Sequence, residues 1–322
     1  MSVPTVGIIA NPASGRDIRR LVAGASVFGN ADKAAMVYRL LAGLGAAGVD
    51  RALMLPAPDG LSTTLHRHLR HGGTTTELEE LPIRLDGSAA DSLAAVHAMR
   101  ERGVAAIVVL GGDGTHRVVA KACGETPMCA ISTGTNNAFP ALRETTVAGL
   151  AVGHVVTGRA HALRREYALE VRVGAKADIA LVDVAVSDAR FVGARALWRP
   201  DGIAELFVTF ANPSAVGLSA IAGTLHPLAR GGGRGLHVRL GSGHELDVAL
   251  APGLISRVGV ESHRVLELGE EVELLPGTIA LDGERELERT DEPATVRLIE
   301  GPRTIDVEAA MREATHRRPR SA

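Results

Sequence analysis

An uninterrupted apolar run, Val104-Ala105-Ala106-Ile107-Val108-Val109-Leu110, leads directly into Gly111-Gly112-Asp113-Gly114-Thr115. A short, β-branched run of this kind reads as a buried strand. Three glycines and one carboxylate follow at its carboxyl end, the edge where open α/β sheets bind ligands. Glycine lets the backbone approach a phosphate closely, and the exposed N–H groups can cradle it. Asp113 stands where a metal ion or a substrate hydroxyl would be. The pattern points to a phosphoryl-transfer site. The plainer alternative is a tight strand-to-helix turn carrying an incidental Asp.

The first half of the chain alternates between strand and helix patterns. Val3 to Ala10 is strand-like and is broken by Asn11-Pro12-Ala13-Ser14-Gly15. Lys33 to Leu44 has helical spacing, Arg51 to Leu55 reads as a strand, Leu61 to Arg70 as a helix, and Leu78 to Ile83 as a strand. Ser88 to Arg102 reads as a helix ended by Gly103. After the glycine loop a helix is expected from His116 to Cys123, then a strand from Met128 to Ile131, then a second loop, Gly134-Thr135-Asn136-Asn137-Ala138-Phe139-Pro140. Alternating βα units imply a parallel sheet. Beyond a connecting helix near Glu144 to Gly158 the rhythm changes to short strand-like stretches with glycine-rich turns, the pattern of a β-sandwich. The expected organisation is an α/β domain with a parallel sheet over 1–143, a connecting helix over 144–160 and an all-β sandwich over 161–290. A strand and helix returning to the first domain, with a basic tail, would occupy 291–322.

The 322 residues suggest about two domains. A formal charge of −2 gives no field that would draw the chain to nucleic acid or anionic lipid. No signal peptide and no membrane-length apolar run is visible, and the two cysteines, Cys123 and Cys129, fit no zinc motif or disulfide framework. A cytoplasmic protein with buried thiols is expected. Of 35 basic residues only Lys33, Lys121 and Lys176 are lysines, so a phosphate clamp here is expected to be arginine.

Two other phosphate motifs are excluded. A Walker loop needs a G-x-x-x-x-G-K-[ST] pattern that none of the lysines satisfies. Gly43-Leu44-Gly45-Ala46-Ala47-Gly48 matches the dinucleotide fingerprint but ends a helix and precedes a strand, the reverse of the required context. The histidines and arginines of His66-Arg67-His68-Leu69-Arg70-His71 read as a solvated basic face, with a metal site as the sharper alternative. His116 is placed to touch phosphate or to pack at a helix start. Arg230-Gly231-Gly232-Gly233-Arg234 reads as a flexible turn, or as a lid that grips phosphate.

Three polar, glycine-bearing loops, around Asn11, Gly111 and Gly134, all follow strand candidates and would converge on one cleft. On these loops and the β-rich second half, the chain resembles the superfamily of NAD kinases and diacylglycerol and sphingosine kinases. Asn11-Pro12-Ala13-Ser14-Gly15, Gly111 to Arg117 and Gly134 to Pro140 are most similar to its AcoX branch, named for acetoin catabolism and grouped with ATP-NAD kinases. Leu218, Ser219, Ala220 and Gly223 fit the family stretch that ends in Ser-Leu-Ser-Ala-Gly-Gly, whereas its tyrosine is missing and Ser214 matches only loosely. The family's Asn-Glu pair aligns with Val182-Asp183, which keeps the acid and loses the amide. Leu281-Asp282-Gly283-Glu284 matches a late motif shared with diacylglycerol kinases.

The resemblance implies a kinase that uses ATP, or polyphosphate, with Mg²⁺ and phosphorylates the adenosine-ribose 2′-OH of NAD. Another small alcohol, a lipid, or a catalytically silent nucleotide-binding role are the alternatives. It implies Asp113 as the catalytic acid-base group. Asn11, Ser14, Gly15, Gly111, Gly112, Gly114, Thr115, Gly134, Thr135, Asn136 and Asn137 would bind nucleotide and phosphate. Asp183, Ser214, Asp282 and Glu284 would bind the acceptor, with Glu284 a second acid or a turn residue. No metal site, no nucleic acid and no membrane are expected, with small-molecule nucleotides as partners, and the resemblance implies a homodimer or homotetramer.

Overall fold

A computed structural model describes residues 4–11, 26, 28–57, 60–187, 202–287 and 292–316. The amino-terminal half contains β1 (Thr5–Ala10), α1 (Asn30–Ala46), β2 (Arg51–Met54), α2 (Leu61–Arg70), β3 (Glu77–Glu80), α3 (Ala89–Glu101), β4 (Ala106–Gly111), α4 (Asp113–Cys123), β5 (Met128–Ser132) and α5 (Thr145–Val156). The remainder contains β6 (Leu163–Val173), β7 (Lys176–Ala180), β8 (Asp183–Ser187), β9 (Ile203–Val208), α6 (Ser219–Leu225), β10 (Arg234–Ala251) and β11 (Leu254–Glu267). It ends with β12 (Glu271–Glu273), β13 (Thr278–Leu281), β14 (Glu284–Leu287), β15 (Ala294–Ile305) and α7 (Val307–His316).

Strand β4 is apolar throughout because both its faces are covered. Ala106, Val108 and Leu110 face a core built with Val37, Leu40, Leu41 and Leu44 of α1 and Ala148, Ala151 and Val152 of α5. Ile107 and Val109 face a second core with Val96 and Met99 of α3 and Val119 and Cys123 of α4. The glycines of the false dinucleotide fingerprint serve this packing. A Cβ on Gly43 would lie 2.2 Å from Thr146 O, and one on Gly149 would lie 2.3 Å from Leu40 O, so α1 and α5 cross almost backbone to backbone. Both cysteines are buried free thiols, and burial pushes them up to about 11 (Cys123) and about 12 (Cys129).

Among the described residues the larger sheet runs β3-β2-β1-β4-β5-β15-β6-β7, with β12 also pairing β15. Strands β1 to β5 are mutually parallel; β15 joins β5 in parallel at Thr304↔Met128 and pairs β6 antiparallel along its whole length. The sheet therefore passes without a gap through the expected boundary near residue 160. Its antiparallel half stacks on a second sheet, β11-β10-β9-β8-β13-β14, and Leu169, Val171, Val184, Phe207, Ile279, Val296 and Leu298 fill the space between. The fold is thus α/β with a mostly parallel sheet, continued by an all-β sandwich. The stretches 237–240 and 246–250, read from sequence as separate strands, are one bent strand, β10. It passes through Gly241 and Gly243 because both lie hard against β11, where side chains would collide. No helix among the described residues is long and apolar enough to cross a membrane.

Candidate active site

Register brings the loops together. Ala10 lies beside Leu110, and Gly111 beside Ser132, so β1, β4 and β5 end side by side. Asn11 donates from its backbone to Leu110 O (3.3 Å) and from Nδ2 to Thr115 Oγ1 (3.2 Å). Lys33, almost wholly buried in the first turn of α1, donates from Nζ to Asn11 O (2.9 Å). Ser14 and Gly15 lie outside the described residues.

The helix after the glycine loop starts at Asp113, one turn earlier than the expected His116. Gly112 is extended (φ −93°, ψ −177°) and serves as N-cap, and an acidic first residue complements the positive end of the helix dipole. Asp113, Gly114 and Thr115 are therefore the first helical turn, whose N–H groups have no partner within the helix. The three glycines differ in what surrounds them. A Cβ on Gly111 would meet Thr115 Cβ at 2.7 Å, and one on Gly112 would meet Asn137 Oδ1 at 2.9 Å. A Cβ on Gly114 would meet nothing within 4 Å among the described residues. The first two are glycines for packing; the described residues give no steric reason for the third.

The Asp113 carboxylate is held by the second loop. Phe139 N–H donates to Oδ1 at 2.8 Å, and Ala138 N–H donates to Oδ1 and Oδ2 at 3.2 and 3.1 Å. That loop is braced in turn: Asn137 Nδ2 donates to Ser132 Oγ (2.7 Å), and Ser132 Oγ donates to Gly134 O (2.7 Å). Thr135 is exposed and bonded to the backbone of Ser26. Asn136 is half-buried, and its Oδ1 has no hydrogen-bond partner among the described residues.

From the second half, the turn between β13 and β14 reaches the same place. Asp282, the one non-glycine residue with positive φ among those described (51°), accepts hydrogen bonds from the N–H groups of Leu181 (2.9 Å), Val182 (2.7 Å) and Asp183 (3.3 Å). Asp183 reciprocates, accepting from Gly283 N–H at 3.2 Å. Burial pushes the Asp282 carboxyl up to about 7; Arg117 opposes this, the nearby Asp113 charge adds to it, and the backbone donors oppose it. Arg117, buried on α4, places Nε 3.7 Å from Asp282 and Nη1 3.8 Å from Asp178. Asp183 and Asp282, expected to bind the acceptor, are each only 5% exposed. Their carboxylates lace the second half of the chain together. Glu284 is half-buried two residues beyond, and Ser214 is exposed in a turn closed on Asn212 Oδ1.

Arg230 is no flexible turn. Its guanidinium lies over the rings of Phe139 (4.6 Å) and Phe210 (4.8 Å), donates from Nη1 to Phe139 O (2.8 Å), and from Nε to the buried Glu166 (3.2 Å). His116 is fully buried against Phe139, with Nδ1 2.8 Å from Gly112 O; burial lowers it to about 4. It is therefore neutral at pH 7 and no cationic phosphate ligand. The basic cluster on α2 is a surface: His66 pairs with Glu80 and His68 lies against Tyr38. Sequence reasoning passed over Arg117, Glu166, Lys33 and Ser132. A basic residue directly after a phosphate-loop motif was the available signal for Arg117; Glu166 carried none.

A sheet edge of this geometry, with a glycine loop feeding a helix and a sandwich behind it, defines a NAD kinase-like protein. Residues 6–160 match the family described as ATP-NAD kinase N-terminal domain. Residues 167–301 match the Acetoin catabolism protein X C-terminal domain. Acetoin catabolism protein X from Cupriavidus necator is 46% identical over 331 aligned positions, covering 97% of this chain and 92% of that relative. The chain belongs to the acetoin catabolism protein X family.

Proposed function

We propose that the chain transfers the terminal phosphoryl group of ATP, or of polyphosphate, to an alcohol, with the adenosine-ribose 2′-OH of NAD as the acceptor and NADP as the product. One observation carries this. The half-exposed Asp113 carboxylate is fixed by two backbone amides at a helix start, and no described residue would crowd a Cβ on Gly114. A helix N-terminus with close-approaching backbone is built for phosphate. Phosphoryl transfer has a loose transition state, so positioning and charge neutralisation dominate.

Each part of the chain has a stated task. The amides of the first turn of α4 bind phosphate oxygens, with Gly114 leaving room for them. Asn11 and Thr115, bonded to each other, and the Asn136–Asn137 loop line the same edge. Asp113 orients the acceptor hydroxyl and accepts its proton as the new O–P bond forms. Among the described residues no three His, Cys, Asp or Glu side chains converge as a metal cage. Mg²⁺ commonly binds through one carboxylate plus substrate phosphates, a demand that Asp113 fits. Bound that way, the ion would neutralise phosphate charge.

The engagement of Asp183 and Asp282 by backbone favours a second reading, in which the acceptor is a smaller alcohol. The family name directs the test to acetoin. Purified protein with ATP and Mg²⁺ is offered NAD, acetoin or diacylglycerol, and polyphosphate replaces ATP in parallel. NADP formation, abolished in Asp113→Asn, is the expected result. Phosphorylation of acetoin or diacylglycerol instead would replace NAD as acceptor. ATP binding with no transfer to any acceptor would leave a nucleotide-binding protein without catalysis. Light scattering on the same sample tests the dimer or tetramer expected from the resemblance.

A further inference from the structure

We propose that Arg230 is the cation that meets the transferred phosphoryl group, an inference that rests on the phosphotransferase reading. Phe139 joins the two ionic groups: its N–H donates to Asp113 and its C=O accepts from Arg230. The carboxylate and the guanidinium are thus fixed to one residue; burial lowers the guanidinium's proton affinity, and Glu166 and, more weakly, Asp113 oppose that. Two edges of the fork are occupied, Nε by Glu166 and Nη1 by Phe139 O. Nη2 has no protein partner among the described residues, and a quarter of the side chain is exposed.

The stem is immobilised in a way that suits a catalytic cation. Two aromatic rings hold the guanidinium and favour its charge. Glu166 is held in place by Arg164 (2.9 Å) and Thr304 (2.6 Å), so its bond to Arg230 fixes an orientation rather than tracking a mobile partner. A donor that needs no reorganisation during reaction is what stabilises developing charge best. In the transfer, an oxygen lone pair of the acceptor forms the new O–P bond. The bond to the bridging oxygen breaks, its electron pair leaves on the nucleoside diphosphate or shortened polyphosphate, and the hydroxyl proton passes to Asp113. Charge spreads over the three equatorial oxygens, and Nη2 of Arg230 donates to one of them.

The test uses the full chain as wild type, Arg230→Lys, Arg230→Met, and Arg230→Met combined with Glu166→Gln. The double variant removes both charges of the Arg230–Glu166 pair, so that a fall in Tm from an under-compensated buried carboxylate is separated from the loss of the cation. Three quantities are read: the affinity for inorganic triphosphate by calorimetry, kcat with the accepted alcohol, and Tm. Arg230→Met is expected to lose about 100-fold in kcat and about tenfold in triphosphate affinity, with Arg230→Lys recovering part of both. The double variant is expected to recover Tm without recovering either. A double variant with wild-type triphosphate affinity and kcat overturns the proposal, since Arg230 would then be a structural clamp. A wild-type chain that binds no triphosphate overturns it as well. If triphosphate binding depends on Arg230 while no alcohol is phosphorylated, the anion site stands and the phosphotransferase reading falls.

Discussion

Two carboxylates approach one another in this molecule, and they do opposite things. Asp113 is half-exposed at the first turn of α4 and is held by the amides of Ala138 and Phe139. Asp282 is buried in the β13–β14 turn and is held by the amides of residues 181–183, with Arg117 beside it. Both are anchored by backbone donors, so anchoring does not separate a reacting group from a structural one. Access does. Asp113 is half-exposed, whereas Asp282 is only 5% exposed.

That contrast breaks first at Asp113. Asp113→Asn keeps an acceptor for the loop amides but cannot take a proton. It is expected to lower kcat about 1,000-fold, some 4 kcal/mol of barrier, with Tm almost unchanged. A large fall in Tm with modest loss of rate would make Asp113 a second structural acid. The reverse holds for Asp282. Asp282→Ala leaves three buried N–H groups without an acceptor and puts alanine at positive φ, so a loss of about 3 kcal/mol is expected in denaturant unfolding. Asp282→Asn, which tolerates that backbone and still accepts, should lose far less.

Gly114→Ala sharpens the same point at smaller amplitude. No described residue meets the added methyl, and alanine favours helix over glycine. Stability should rise by about 0.5 kcal/mol while triphosphate affinity falls about tenfold. Unchanged affinity would mean that no phosphate passes over Gly114.

The smallest effect is in the pH dependence of stability. Asp282 titrates near 7 in the folded chain against an ordinary 3.8, so the folded state binds the extra proton and stability falls as pH rises between these values. His116 titrates near 4 against 6.5, so the stability it contributes is complete above 6.5 and is lost as pH falls toward 4. The two slopes oppose each other from about 4 to 6.5. Asp282→Asn removes one of them, so its stability should fall more steeply than wild type on acidification through that window, as urea titrations at several pH values would show.

The sequence alone determined the alternating α/β half, the β-rich second half, and the edge where the glycine loop sits, because strand and helix periodicity and glycine turns are local properties. It also placed Asn11, Gly111 to Thr115 and Gly134 to Asn137 together, since parallel neighbours end at one edge. Tertiary structure alone decided that Asp183 and Asp282 are buried and tied to backbone, that β10 runs through its glycines, and that Arg230 is clamped between Phe139 and Phe210. Each of these depends on partners distant in sequence, about a hundred residues away in some cases, or on the close approach of a neighbouring strand. A motif names a carboxylate or a guanidinium, but whether water and ligand reach it is set by what the rest of the chain packs around it.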